Sequence, residues 1–290
     1  MRVIHLPVML REVVMLLKPK FGGIYVDATV GLGGHAEEIL RHIGNGRLLG
    51  IDRDEEALGM AMKRIPDERL TLKRGKFSDI ARLAAEAGVS GADGVLFDLG
   101  TSMLHLKTPE RGFSFLSDEP LDMRMDSGQE MTASHIVNKY PEKEISRILW
   151  EYGDERLSRK IARAVVDYRA KKKIETCAEL SDIVYRVYKT RGKHHPATKT
   201  FQALRIEVND ELNELRKGLN EASGLLKSEG RLCVISYHSL EDRIAKNFIR
   251  DGHKNGVLRI LTKKPLVPSD EEVRGNPSAR SAKLRGAEKI

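Results

Sequence analysis

Asp27, His35, Asp52 and Asp98 are the side chains whose types and spacing first suggest chemistry. Asp27 and His35 bracket a glycine cluster, Gly31, Gly33 and Gly34, in the stretch DATVGLGGHAEEIL. Gly31, Gly33 and Ala36 fit G-x-G-x-x-A. In that pattern glycine permits a tight turn and brings a ligand close to the backbone, and the helix behind it offers free N–H groups. The expectation is that the glycines make room for a ligand. Asp52 ends the next apolar run, where a carboxylate can accept hydrogen bonds from both ribose hydroxyls. A dinucleotide and S-adenosylmethionine are both bound this way. A ring of acids repels a diphosphate and attracts a sulfonium with an ammonium group, so Asp27, Asp52 and Asp98 together favour the latter. His35 either hydrogen-bonds the ligand or caps the turn. Phe77 lies either against an adenine ring or in the core.

These residues need a scaffold that gathers strand ends. Short apolar runs at 24–28, 47–51, 70–73 and 94–97 alternate with helical spacing at 36–42, 55–65 and 79–87. Such alternation predicts a parallel α/β sheet, and unbroken apolar strands predict that both faces are covered. All three aspartates then fall at strand C-termini, where open α/β sheets bind ligands. From 105 to 198 no apolar strand run occurs. A loop over 107–130 leads to helical periods at 132–140, 142–152, 155–172 and 176–189. Further on, one long helix is predicted over 201–226, a strand over 230–236, a helix, and strands over 257–262 and 283–289.

The chain has 290 residues and a net charge of +8, with 40% hydrophobic residues, an ordinary globular composition. The charge is localised: Arg156 to Lys199 holds thirteen lysines and arginines against four acids, which suits an anionic polymer. No stretch reaches the roughly 18 apolar residues of a membrane span, and cytoplasmic residence is expected. Cys177 and Cys233 lack metal or disulfide spacing. His194 and His195 are adjacent and have no well-spaced acid or cysteine beside them, so no metal is expected.

The segments HLPVMLREV, GLGGH, GIDRD, FDLGTS, ERGFSF, PLDMRMD, HPATKTFQALRIEVNDEL, VISYHSLEDR and NPSARSAKLRGAEK run in this order from residue 5 to 289. In these segments the chain resembles the RsmH/MraW family of bacterial small-subunit (16S) rRNA cytosine-N4 methyltransferases. The resemblance implies a class I methyltransferase fold, Rossmann-like with a mostly parallel seven-stranded sheet. It implies a discontinuous methyltransferase domain over 1–104 and 199–290, with a helical substrate-recognition domain inserted over 105–198. It implies S-adenosylmethionine as donor, held by Gly33, Gly34, His35, Asp52, Phe77 and Asp98. A further donor contact falls on His105, where the family usually has glutamine. The implied substrate is a cytidine near the decoding centre of the small ribosomal subunit.

Methylation at cytosine C5 needs a cysteine nucleophile, and neither Cys177 nor Cys233 looks like one. N4 needs only in-line approach and an acceptor for its hydrogen, a task that suits an acid. Asp98 is the candidate, with donor binding alone as its competing role. For the RNA, Arg111, Arg124, Arg243, Lys193, Lys199 and the lysines at 171–173 are candidate phosphate ligands. Phe113 or Tyr237 could stack on the base, and His238 could hydrogen-bond it. Structural alternatives stand beside them: a network of Asp122, Arg124 and Asp126, and an N-cap of the following helix formed by His238, Ser239 and Glu241, since Ser239-x-x-Asp242 fits the capping pattern. Two other classes remain open at this level: an NAD(P)-dependent oxidoreductase, and an RNA-binding protein without catalysis.

Overall fold

The computed structural model describes residues 7–101, 104, 108–115, 118–188 and 195–290. The candidates His105, Lys193 and His194 lie outside the described residues. By its internal contacts the chain divides into two units, one of Met1–Gly100 with Leu212–Ile290 and one of Thr101–Glu211.

The first unit holds seven strands: β1 Ile24–Asp27, β2 Arg47–Asp52, β3 Leu70–Arg74, β4 Ala92–Asp98, β5 Leu226–Ser236, β6 Leu258–Ile260 and β7 Lys283–Lys289. They pair in the order β3-β2-β1-β4-β5-β7-β6. Pairings through β5 are parallel, and β7 runs antiparallel to β5 and β6. This is the class I methyltransferase sheet that the resemblance implied. Its strand order reverses between β1 and β4. The helices are α1 Leu10–Leu17, α2 Gly34–His42, α3 Glu55–Arg64 and α4 Ile80–Glu86 before the second unit.

Both faces of the sheet are covered, which explains the unbroken apolar strands. Leu96, Cys233 and Ile235 point to one core with Val13 and Ile39, while Val95, Phe97, Leu232 and Val234 point to the other with Leu83, Leu215 and Leu219. The alternation along each strand is the period-two geometry of β structure.

The second unit is helical: α5 Ala133–Lys139, α6 Glu142–Gly153, α7 Ser158–Arg169, α8 Cys177–Val187 and α9 Thr198–Asn209. Thr132 caps α5, and Thr176 with Glu179 forms a capping box on α8. Its own core includes Ile145, Ile148, Leu149, Ile161, Leu180 and Leu204. Among the described residues no helix is long and apolar enough to cross a membrane.

The sequence predicts one helix over 201–226, but the chain breaks it. Asp210 takes left-handed backbone with φ 49°, ending α9. Helix α10, Glu211–Leu225, follows at once. Aspartate tolerates that region better than most residues, and apolar spacing through 204, 208, 212, 215 and 219 carries on across the break. The break moves the unit boundary as well. Helix α9 packs on α6, where a Cβ at Gly153 would lie 2.7 Å from the Lys199 carbonyl. The helical unit therefore runs over 101–211 rather than 105–198. The chain then continues through α11 Ser239–Lys254 and α12 Asp270–Gly275.

At the end of α9, Asn209 ties down the PLDMRMD segment. Its Oδ1 accepts the Met125 N–H at 2.9 Å, and its Nδ2 donates to the carbonyls of Met123 (2.8 Å) and Arg205 (2.9 Å). Met123 itself has φ 64°, which that clamp must hold. Asn209→Ala leaves buried groups unpaired and should destabilise the helical unit by about 3 kcal/mol, at about 1–3 kcal/mol per orphaned group. Chemical denaturation of the full chain measures this, and an unchanged midpoint would refute the clamp.

Candidate active site

The crevice is built at the C-terminal ends of β2, β1 and β4, three neighbours in the sheet that end in Asp52, Asp27 and Asp98. After Asp27 the chain turns tightly. Ala28 N–H reaches the Leu96 carbonyl and Val30 N–H the Ile51 carbonyl, each at 2.9 Å. Gly31 follows with φ 48° and Gly33 with φ 82°, so both adopt backbone that favours glycine. Gly33 is also the N-cap of α2, and no side chain caps that helix.

The glycines also meet the chain itself. A Cβ at Gly33 would sit 2.6 Å from Ile65 Cδ1, and one at Gly34 would sit 3.1 Å from Pro7 Cβ. Only Gly31 opens onto space, its nearest neighbour being the Thr29 carbonyl at 3.8 Å.

Each aspartate is held differently. Asp52 accepts the N–H of Gly31 on Oδ2 and of Asp54 on Oδ1, both at 2.9 Å. Asp27 is buried, and its Oδ1 accepts the Thr29 N–H at 3.2 Å. Burial pushes the Asp27 carboxyl up to about 7; the Asp98 and Asp52 charges add to this and His35 opposes it. Asp98 donates its N–H to Thr29 Oγ1 at 2.6 Å, and its Oδ1 accepts the Tyr237 hydroxyl at 2.8 Å. Its Oδ2 lies 3.4 Å from His35 Nε2. His35 is 5% exposed, and neither ring nitrogen makes a hydrogen bond among the described residues. Such a buried, unsatisfied imidazole at an uncapped helix start fits a site made for a polar ligand group.

Tyr237 is therefore a partner of Asp98 through its hydroxyl. Burial first, then the Asp98 charge, push its hydroxyl well above the ordinary range. Gly100, with φ 97°, lets the ring approach: a Cβ there would be 3.2 Å from Tyr237 Cδ2. The turn after Tyr237 is fixed by buried Glu241. Its Oε2 accepts the Tyr237 N–H at 2.8 Å, and the His238 side chain caps α11 by accepting the Glu241 N–H. The capping box is thus His238 with Glu241, one residue earlier than Ser239-x-x-Asp242. Asp242 instead pairs with Arg285 at 2.7 Å and Lys283 at 3.6 Å.

Phe77 follows β3 in a short 3-10 turn, Phe77–Asp79. Its ring meets Phe97 edge-on at 5.7 Å, and the Arg53 guanidinium carbon lies 5.6 Å from its centroid. It is half-buried, so the core role is real and one part of the ring stays accessible.

In the helical unit, Arg124 is engaged locally. It grips Asp122 with two hydrogen bonds of 2.7 and 2.8 Å and donates to the carbonyls of Ser127 and Gln129. This is the salt-bridge alternative, with Asp122 as partner, and it leaves Arg124 little to offer a phosphate. Lys199 Nζ donates to the Asp154 carbonyl at 2.7 Å. His195 stacks on Phe115 with centroids 4.5 Å apart. Arg111 and Phe113 are half-buried in the 108–115 segment, Lys171 and Lys173 are exposed, and Arg243 is exposed on α11 of the first unit. Thr29, and Tyr237 as a hydrogen-bond donor, are contributions that sequence reasoning missed, whereas Glu241 was in view as part of the helix cap. Only the hydroxyl two places after Asp27, in DATVG, gave any signal.

Asp27 makes stability depend on pH. Its unfolded carboxyl ionises near the ordinary 3.8, its folded carboxyl near 7. Between those values the unfolded chain binds fewer protons, so its contribution is full below 3.8 and falls as pH rises through 7. Each unit of separation is worth roughly 1.4 kcal/mol. Asp27→Asn should gain stability relative to the parent chain between pH 4 and pH 7, in urea titrations along that range. Parallel curves would mean that Asp27 is not the titrating group.

A model of the MraW methylase family matches residues 2–290 of this chain. A protein of Persephonella marina, Ribosomal RNA small subunit methyltransferase H, is 49% identical over 291 residues, covering 99% of each chain. A protein of the same name from Sulfurihydrogenibium sp. is 48% identical with the same coverage. One from Carboxydothermus hydrogenoformans is 47% identical over 305 residues, covering 99% of this chain and 98% of its own. The match takes in the acidic crevice and the helical unit alike, and the chain belongs to the MraW methylase family.

Proposed function

We propose that this protein transfers the methyl group of S-adenosylmethionine to the exocyclic N4 of a cytidine in small-subunit (16S) rRNA, near the decoding centre. The observation that carries the donor assignment is the crevice itself. Three carboxylates and a buried, unsatisfied His35 surround an uncapped helix start. That combination suits a ligand bearing a sulfonium, an ammonium and a carboxylate, and it disfavours a diphosphate. The relatives' names, which specify small-subunit rRNA, support the substrate.

S-adenosylmethionine supplies an electrophilic methyl group, so a carbon–nitrogen bond forms as the carbon–sulfur bond breaks. The residues have four tasks. Asp52, held by Gly31 and Asp54 at the end of β2, accepts the ribose hydroxyls. His35 and the first-turn N–H groups of α2 receive the donor carboxylate. Phe77 packs beside the adenine. Asp98 accepts a hydrogen from N4, which frees nitrogen density for attack, and takes the proton that N4 must lose.

The Tyr237 hydroxyl on Oδ1 fixes the Asp98 carboxylate in orientation. Positioning supplies most of the rate. A covalent route through cysteine finds no support. Burial pushes the Cys233 thiol up to about 12, and the Cys177 thiol is buried against the Gly112 carbonyl at 3.3 Å. The cytidine must leave its stack to be methylated. The exposed lysines at 171 and 173 suit phosphate contacts, which set affinity and salt dependence rather than sequence choice.

The test supplies methyl-labelled donor and small subunits from a strain lacking the enzyme, followed by nucleoside mass spectrometry. The expected label is N4-methylcytidine; label in any other nucleoside would overturn the atom assignment. A thermal shift with NAD but none with S-adenosylhomocysteine would overturn the donor assignment and favour an oxidoreductase. Donor binding without label would leave the binding-protein reading. Asp98→Asn should lower kcat about 100-fold or more, the scale of a lost acid–base group, while donor Kd changes far less. The reverse split would make Asp98 a donor ligand only.

A further inference from the structure

Glu214 has no place in the machinery above, yet it is a buried carboxylate at 4% exposure on α10. A buried acid costs free energy unless it is paired. Its partners are Ser78 and Lys76: the Ser78 hydroxyl donates to Oε2, and Lys76 Nζ lies 3.3 Å from Oε1. Those two residues flank Phe77 on either side. One helical turn further along α10 comes Gly218, on the same face. A Cβ at Gly218 would lie 2.8 Å from Phe77 Cδ2 and 3.1 Å from the Phe77 carbonyl. One side of α10 thus grips the two neighbours of Phe77 with a carboxylate and makes room for its ring with a missing side chain. The same turn is tied to the ribose side of the crevice, because Gly75 N–H donates to the Asp52 carbonyl at 2.9 Å.

We propose that Glu214, with Gly218, is a positioning residue for the adenine-binding surface of Phe77. This rests on the assignment of S-adenosylmethionine as donor. Glu214 does not touch the donor. It holds the 76–78 turn against α10, so that the accessible part of the Phe77 ring keeps one position relative to Asp52. Hydrophobic packing of Phe77 on Phe97 is non-directional and would let the turn slide; two polar contacts from one carboxylate fix it.

The test is calorimetric titration of S-adenosylhomocysteine into the full-length protein and its variants, with kcat and donor KM measured alongside. Phe77→Ala and Glu214→Ala should each weaken binding by about tenfold. Ser78→Ala should weaken it by about threefold, and adding it to Glu214→Ala should cost nothing further, since both act through one contact. Glu214→Gln, which can still accept from Ser78, should recover most of the affinity. In Glu214→Ala and Ser78→Ala, donor KM should rise while kcat at saturating donor stays within about twofold.

A merely structural Glu214 would lower the melting temperature and leave donor Kd and KM unmoved. That outcome, with Phe77→Ala still weakening binding, overturns this inference alone. Failure of the parent chain to bind S-adenosylhomocysteine overturns the donor assignment and this inference with it. Should Glu214→Ala not fold, Ser78→Ala and Glu214→Gln carry the same decision: unchanged Kd in both refutes the positioning role.

Discussion

Asp27, Asp52 and Asp98 end three adjacent strands, so the sheet forces three carboxylates into one crevice where their charges repel. The surroundings make this tolerable in three ways. Asp52 is stabilised as a carboxylate by two backbone N–H groups, and Asp98 by a tyrosine hydroxyl. Asp27, the most buried, holds its proton up to about 7. What remains is an excess of negative potential in a site of low dielectric. Coulombic attraction grows as the dielectric falls, so a cationic ligand gains there what it could not gain in water. The strain of gathering like charges and the preference for a cation are the same fact seen before and after binding.

That electrostatic arrangement works only if Asp98 keeps its orientation. Its N–H is anchored on Thr29, which belongs to the β1 turn, and its Oδ1 on Tyr237, which belongs to the turn after β5. Strands β1 and β5 flank β4 on either side, so Asp98 is gripped from both neighbours. Glu241 then fixes the backbone of Tyr237 and His238, so the cap of α11 and the orientation of Asp98 depend on one turn. His238 and Tyr237, adjacent at a strand end, thus each have a structural partner: Tyr237 donates to Asp98, and His238 accepts the Glu241 N–H.

Much of this was legible in the sequence because it is local. Unbroken apolar runs ending in aspartate located β1, β2 and β4, and the general rule that open α/β sheets bind ligands at strand C-termini placed their ends together. The helices of 142–153 and 177–187 follow their apolar spacing closely. What escaped was either masked by periodicity or nonlocal. The break at Asp210 leaves the apolar phase intact, so only the left-handed backbone reveals it. At α11 the cap residues His238 and Glu241 were in view, but the Ser-x-x-Asp pattern sets the box one residue late, because histidine Nδ1 can stand in for a hydroxyl acceptor. The glycines were seen, but their packing neighbours were not: Ile65 and Pro7 are remote in sequence, and no local pattern announces that they lie against Gly33 and Gly34. Tyr237 on Asp98 and Glu214 on Ser78 are separated by 139 and 136 positions.

The use of a buried acid at Glu214 bears on how such a site is built. A well-packed apolar residue there would stabilise α10 as well or better, because burying a charge carries a desolvation cost that its partners only partly offset. An apolar contact, however, is satisfied over a range of positions. A hydrogen bond weakens steeply once its donor leaves line, so it selects one. The core around Phe97 and Leu215 provides the stability, and the polar contacts at the turn provide the register. The same division holds on the other side of the crevice, where Leu96 and Ile235 pack the sheet while the Tyr237 hydroxyl sets the angle of Asp98. Methyl transfer needs a donor and an acceptor aligned in line, and hydrophobic burial alone specifies no angle. Hence the polar, costly contacts gather at the strand ends, and the apolar ones stay behind them.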